Sequence, residues 1–370
     1  MANSTHQVEV VPIKMVKHPN ADSLSIVNVF GGYTCIVRTQ DWQGVALGAY
    51  LPPDSVVDTN RKEFDFLIPK AKADGTHRVK AMKLRGVVSF GLMIPAPEGS
   101  VVGQDVAQQL GVTHYEPPLP GEQKAGGLIL GGEVAKAPGV NSPKYDLDAF
   151  RKYHHLFKEG EKVWITEKIH GASGRWVFQD GVMHCGSRNE WKKEFPTYDH
   201  ITMDWLRERV LNKDTNIPDE ERCQQIYDRL HSPQKSRNMW WTALSHEPEI
   251  EKWCRDNPGK ILYGEVYGQV QNLKYDLQGV SIAIFDVLDN GRWLNAQEAR
   301  DAAPNVPWVP FLGIHDYSFD LVVNLSDGQS LIAQHYREGC VVKPLEERID
   351  IHLGRVCLKC VGATYLEKDK

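Results

Sequence analysis

The chain lacks any apolar run long enough to cross a membrane as a helix. Its apolar runs, such as residues 281–285 (SIAIF) and 126–131 (GGLILG), fall far short of the roughly 18 residues such a span needs. The opening MANSTHQVEV has no basic start followed by an apolar stretch, so neither secretion nor membrane insertion is expected. Cysteine is sparse. Seven residues (35, 185, 223, 254, 340, 357 and 360), an odd number scattered over 370, exclude a disulfide scaffold and point to a reducing, intracellular setting, most simply the cytoplasm. Only Cys357 and Cys360 have C-x-x-C spacing, and neither a second such pair nor a nearby histidine pair completes a zinc tetrad. Their surroundings read as a strand, in which residues i and i+3 face opposite ways, so structural thiols are expected. No G-x-G-x-x-G follows a strand, which leaves a Rossmann domain without support. No internal repeat or low-complexity tract is present. A large excess of one charge is missing too: 43 Lys and Arg against 48 Asp and Glu give a net −5.

What remains is an ordinary globular composition, 41% hydrophobic and 25% charged. At this length two domains are expected, at roughly 100–200 residues each. Short β-like runs at residues 7–13, 25–30, 33–37, 45–50, 78–84 and 87–94, separated by Gly, Pro and Asp turns, suggest a small barrel of the OB type over residues 1–120. Charge is concentrated in this part: residues 61–85 hold eight Lys or Arg (61, 62, 70, 72, 78, 80, 83, 85) against three acids (63, 65, 74). Partners feel that local field, not the net charge. Residues 117–121 (PPLPG) open a Gly/Ala/Pro-rich stretch, read as a linker over 121–143. From 144 to 370 strand runs (162–168, 174–179, 260–266, 281–288) flank a helical region at 199–257, and Asp289-Asn290-Gly291 signals a tight hairpin turn. The fold class is therefore α+β with mainly antiparallel sheets.

The residues that carry chemistry begin with 166–171 (TEKIHG), at the end of a strand. A lysine placed there becomes a nucleophile only when its amine is neutral. Taken alone, the segment is also an ordinary strand exit. Its company is more specific: 186–189 (GSRN), 263–268 (YGEVYG), 284–287 (IFDV), 337–344 (REGCVVKP) and 356–359 (VCLK) follow in that order. The ordered set resembles the covalent nucleotidyltransferases, and the K-I-H-G form resembles the ATP-dependent RNA ligases of the phage nick-sealing type. Residues 18–24 (HPNADSL) and 79–86 (VKAMKLRG) are similar to the N-terminal OB module of the Deinococcus-type RNA ligases. DNA ligases and capping enzymes place an OB domain after the last lysine motif, whereas this chain ends soon after Lys359, which disfavours those relatives.

The resemblance implies roles. Lys168 would take AMP from ATP, and Lys359 would contact the α-phosphate and lower the Lys168 pKa by like-charge proximity. Arg188 would hold the nucleotide or the 5′-phosphate of the acceptor. Glu265 and Glu338 would serve the nucleotide and bind Mg2+ or Mn2+, largely through its waters. Phe285 would stack on adenine, the Glu167 backbone would meet its edge, and Ile169 would complete the pocket. Asp286 is a weaker metal candidate, because an acid after an apolar strand often only starts a turn. Two departures stand out. Val361 replaces the second lysine of the phage relatives, leaving the phosphate clamp to Lys359 or to Lys343. Lys343, five residues from Glu338, would point to the other face of a regular strand. His170 stands where many ligases have an acid; it could accept from metal-bound water or be merely structural.

The expected function is an ATP-dependent RNA ligase that seals 3′-hydroxyl and 5′-phosphate ends, with RNA or a nicked RNA-containing duplex as partner and the basic OB segment gripping its backbone. Two alternatives stay open at this point, a capping-type nucleotidyltransferase and a non-catalytic nucleic-acid-binding protein.

Overall fold

The computed structural model describes residues 6–115, 124–125, 128–129, 132–195, 197–211, 215–231 and 237–368. Among these, the N-terminal part is built of short antiparallel strands. Glu9–Pro12 and Leu92–Pro95 flank Leu47–Leu51, Leu24–Val29 lies between Met15–Lys17 and Tyr33–Arg38, and Ser55–Asp58 pairs with Thr76–Arg78 and Thr113–His114. Alternate residues such as Val8, Val10, Ala49, Leu51 and Val57 turn inward with Phe64 and Leu110 to form one apolar core. The expected strand at 78–84 is divided: Thr76–Arg78 leaves one sheet before Met82–Leu84 pairs with Val87–Ser89 across the Arg85-Gly86 turn.

The C-terminal part holds two sheets. The first orders its strands Asp148–Ala149, Leu358–Val361, Gly339–Pro344, Lys162–Lys168 and Phe311–Asp316. The second orders Trp191–Lys192, Val182–Ser187, Ala172–Gln179, Ile261–Gly268, Val280–Asp289 and Arg292–Trp293. Ladders are antiparallel except Asp148–Ala149 beside Leu358–Lys359. Residues 163–167 are all buried, as expected of a strand covered on both faces. The Asp289-Asn290-Gly291 turn forms as expected, with positive φ at Asn290 and Gly291. The helical region resolves into Met203–Arg209, Glu220–His231, Met239–His246 and Pro248–Asp256. Thr202 and Asn238 cap two of them, accepting from the Trp205 and Trp241 N–H groups.

Part of the expected linker lies outside the described residues. Its remainder is not a free tether: Val134 bridges to Lys192, Ala135 N–H donates to Trp191, Ala135 and Val140 join an apolar cluster, and the Pro143 carbonyl accepts from Tyr263. Gly, Ala and Pro there provide small residues that lie flat on a sheet edge, a use that composition alone does not separate from a tether. The seven cysteines are free and buried. Cys357 precedes the strand Leu358–Val361, and Cys360 lies within it opposite Cys340. No helix among the described residues is long and apolar enough to cross a membrane.

Candidate active site

Residues 168–171 carry the chain from one sheet to the other. Lys168 ends its strand in the first sheet, and Ala172 opens the next strand in the second. A Cβ on Gly171 would stand 2.1 Å from the Val266 carbonyl oxygen, so only glycine permits the crossing at this distance. Lys168 is thereby held where the sheets meet. A cavity of about 880 Å³ opens there, lined by Lys168, Arg188, Glu265, Phe285, Glu338, Lys343 and Lys359. The sequence-predicted set, drawn from six separate motifs, converges on this one space.

The Lys168 Nζ donates to Glu338 Oε2 at 2.8 Å, and the same oxygen lies 3.4 Å from His170 Nδ1. His170 is fixed from two sides: its N–H donates to the Tyr275 hydroxyl at 2.7 Å, and Nδ1 lies 3.4 Å from the Tyr365 hydroxyl. Its Nε2 is buried without a hydrogen-bond partner. Burial opposes the Lys168 ammonium, yet Glu338 and Glu265 outweigh burial and hold its pKa above the usual lysine value. This corrects the expectation that Lys359 lowers it, because the two carboxylates dominate the field at Nζ. The depressed lysine is Lys359 itself, pushed down by burial and by Lys168. The carboxyls split in opposite directions. Despite burial, Glu338 is held at about 2 by Lys168 and His170. Burial pushes Glu265 up to about 8, with Lys168 opposing and Glu338 adding.

Among the described residues no group of three His, Cys, Asp or Glu is arranged to hold a metal alone. Glu265 and Glu338 both line the cavity. That donor set fits a hard cation that keeps most of its waters, as Mg2+ does.

The remaining candidates divide. Phe285 is half-buried against the cavity, its ring 4.5 Å from that of Tyr145, which suits a stacking face. Ile169 packs with Leu273, Tyr275 and Tyr365 and lines the cavity. Arg188 is partly exposed, 3.2 Å from Asp146. Glu167 turns its side chain away, accepting from Ser330 Oγ at 2.6 Å and Leu331 N–H at 2.8 Å. Its own N–H is taken by Pro310, so only its carbonyl is left for a base edge. Lys343 is not a free phosphate clamp: its ammonium is bound to Asp286 Oδ2 at 2.7 Å and to the Phe285 carbonyl at 3.1 Å. Both Lys343 and Glu338 line the cavity, because Glu338 precedes the regular strand and the alternation rule does not reach it. Fully buried Asp286 also accepts from Arg355 at 3.0 Å and from Tyr145, which excludes it as a metal candidate.

Sequence reasoning missed a set of cavity residues from distant segments: Tyr145 and Tyr365, and from the OB module His6, Arg78, His114 and Tyr115. Only Arg78 had a signal, as part of the basic segment. That segment does not form one stripe. Arg61 bonds the Gln109 carbonyl, Lys72 and Arg78 meet at Tyr115, and Lys83 and Arg85 lie on a separate hairpin.

A barrel followed by two facing sheets, with a strand-end lysine, two carboxylates and a second lysine converging on one cleft, defines a ligase-type nucleotidyltransferase. The RNA ligase family model matches residues 161–361, an OB-fold domain model matches residues 7–96, and the chain belongs to the RNA ligase family. Among solved structures it is similar to Naegleria gruberi RNA ligase with pyrophosphate, at TM-score 0.74 and 21% identity over 100% of both chains. A mutant of that ligase with ATP and Mn gives 0.73 at 19% identity, over 98% of this chain and 100% of that one. Another mutant, with AMP and Mn, gives 0.73 at 21% over 100% of both. No curated protein matches.

Proposed function

We propose that the chain is an ATP-dependent RNA ligase that joins a 3′-hydroxyl to a 5′-phosphate through a lysyl-AMP intermediate on Lys168. The observation that carries this reading is the contact of the Lys168 amine with Glu338, in one cavity with Glu265 and Lys359. The amine must lose a proton to solvent before it attacks, and Glu338, ionised beside it, holds it as the ammonium until that carboxylate is engaged elsewhere. As the Lys168 N–P bond forms at the α-phosphorus, the P–O bond to pyrophosphate breaks. Engaging Glu338 and Glu265 elsewhere removes the charges that hold the ammonium protonated, and Lys359 then favours the neutral amine. Glu265, Glu338 and His170 would hold Mg2+ or Mn2+ through its waters, and the ion would supply positive charge to the phosphates. Lys359 and Arg188 meet the negative charge that spreads in the transition state, while Phe285, Ile169 and the Glu167 carbonyl seat the adenine. The 5′-phosphate of the acceptor then displaces Lys168 to take the AMP, and the 3′-hydroxyl displaces AMP to seal the strand. ATP, AMP, pyrophosphate and Mn in the Naegleria gruberi structures support this assignment, and residues 18–24 and 79–86 support the Deinococcus-type branch.

Incubation with α-phosphate-labelled ATP and magnesium, then denaturing electrophoresis, tests the first step. The native chain takes label and folded Lys168→Ala takes none. If neither does, even after pyrophosphate strips pre-bound AMP, lysyl-AMP chemistry is ruled out; labelling by GTP instead of ATP would point to the capping-type alternative. RNA preference is tested on nicks with ribose or deoxyribose at the 3′-hydroxyl end. The ribose nick seals faster, and equal rates would remove the preference.

A further inference from the structure

The OB module gives the cavity a wall that the nucleotidyl-transfer chemistry leaves unused: His6, Asp54, Arg78, His114 and Tyr115 line it. The rings of His6 and His114 are stacked, centroids 4.4 Å apart and planes 17° from parallel. His6 Nε2 pairs with Ser55 Oγ at 3.0 Å, which fixes the lower ring. Burial, with His114 and Lys359 adding and Asp105 opposing, lowers His6 to about 4, so this ring is uncharged at neutral pH. His114, on top, is exposed. Next to it, Tyr115 carries the Arg78 guanidinium 3.9 Å from its ring centroid and the Lys72 ammonium at 5.9 Å. Arg78 is neutralised by Asp54 at 2.6 Å, whereas Lys72 is exposed. A flat aromatic step bordered by a cation is the chemistry that receives a nucleobase and its phosphate.

We propose that His114, backed by His6, is a base-stacking subsite for the terminal nucleotide of an RNA end brought to Lys168, with Lys72 meeting its backbone phosphate. This rests on the RNA ligase reading. It assigns the OB module a defined contact inside the cavity, where the basic segment alone would give only a diffuse grip.

The test uses the full chain and three nicked RNA duplexes of one sequence: intact, abasic at the 3′-hydroxyl nucleotide, and abasic at the 5′-phosphate nucleotide. On the intact nick, His114→Ala raises the sealing KM about tenfold, the range expected for one lost base stack, and kcat changes little. His114→Phe, which stacks but has no ring nitrogen, restores the native KM. In the native chain one abasic end raises KM by a similar factor, and in His114→Ala that same end costs nothing further, which identifies the seated nucleotide. The subsite is overturned if His114→Ala keeps the native KM, if His114→Phe behaves like His114→Ala, or if both abasic penalties persist undiminished in His114→Ala. If the native chain takes no label from ATP, the ligase reading has failed separately. Fluorescence anisotropy of the same three duplexes then judges the subsite by Kd, with the same factors expected.

Discussion

Asp286 sits in a motif where an acid invites a metal ion, yet it faces two cations and a phenol. Burial raises the cost of its charge, and Arg355 and Lys343 more than offset it, holding its carboxyl below the ordinary range. Removing one member of such a buried group leaves the others uncompensated. Asp286→Ala is therefore expected to destabilise the fold by about 3–5 kcal/mol, read as a lower denaturation midpoint in urea. The magnesium concentration needed for half-maximal labelling of Lys168 should not move. An unchanged midpoint with a raised magnesium requirement would return Asp286 to the metal. The convergence of Lys168, Glu265, Glu338 and Lys359 on one cavity was legible because their motifs fall in a specific order. The occupation of Lys343 was not, because its partner lies 57 residues away and nothing local announces a buried ion pair. The upward shift at Lys168 was illegible for the same reason: it sums the charges of Glu265 and Glu338, which lie far from it in sequence.

Elements were legible where the local pattern and the burial agree. The strand Lys162–Lys168 matches its expected bounds, and the Asn290-Gly291 turn follows from the positive φ that those residues accept. Where small residues pack on a sheet edge, as at 132–143, composition misleads. Glu133 makes the difference there. It accepts from Lys193 Nζ at 2.7 Å and from the Thr197 and Tyr198 N–H groups at 2.6 and 3.0 Å, tying this edge to the start of the helical region. Burial works against its charge, but Lys193 and those N–H groups hold it at about 2 against an ordinary 4.5. A carboxyl lowered on folding stabilises fully above its unfolded pKa and loses that contribution as pH falls through the folded value. Glu133→Gln should thus cost about 1–3 kcal/mol at pH 7, the range for hydrogen bonds to a charged group. Native and variant stabilities should converge as pH drops from 4.5 towards 2. A gap that stays constant over that range would show that the carboxylate's charge is not what anchors the edge.

At the scale of the whole molecule, the two modules are joined through residues next to the chemistry. A Cβ on Gly32 of the barrel would fall 2.1 Å from the Arg151 carbonyl oxygen, and Arg151 lays its guanidinium 4.6 Å from the centre of the Phe90 ring. Lys152 adds an ion pair to Glu9. Arg151 and Lys152 lie one residue beyond Asp148–Ala149, which pair with Leu358 and Lys359. The barrel therefore has two possible effects, one through nucleic acid and one through support of the Lys359 strand, and removing it separates them. On the proposed reading, lysine adenylylation would need only groups of the two-sheet domain, whereas sealing would also need the broken strand held at Lys168. Deleting residues 1–120 is expected to cut sealing of a nicked RNA by two orders of magnitude or more, on the order of losing several phosphate contacts. Labelling of Lys168 by ATP should fall by no more than about tenfold, the equivalent of roughly 1.4 kcal/mol. Both activities are measured on truncated protein whose cooperative thermal unfolding shows that it is folded. If sealing and labelling fall together, the barrel acts through the Arg151 contact on Lys359, and its basic residues are not the grip on RNA.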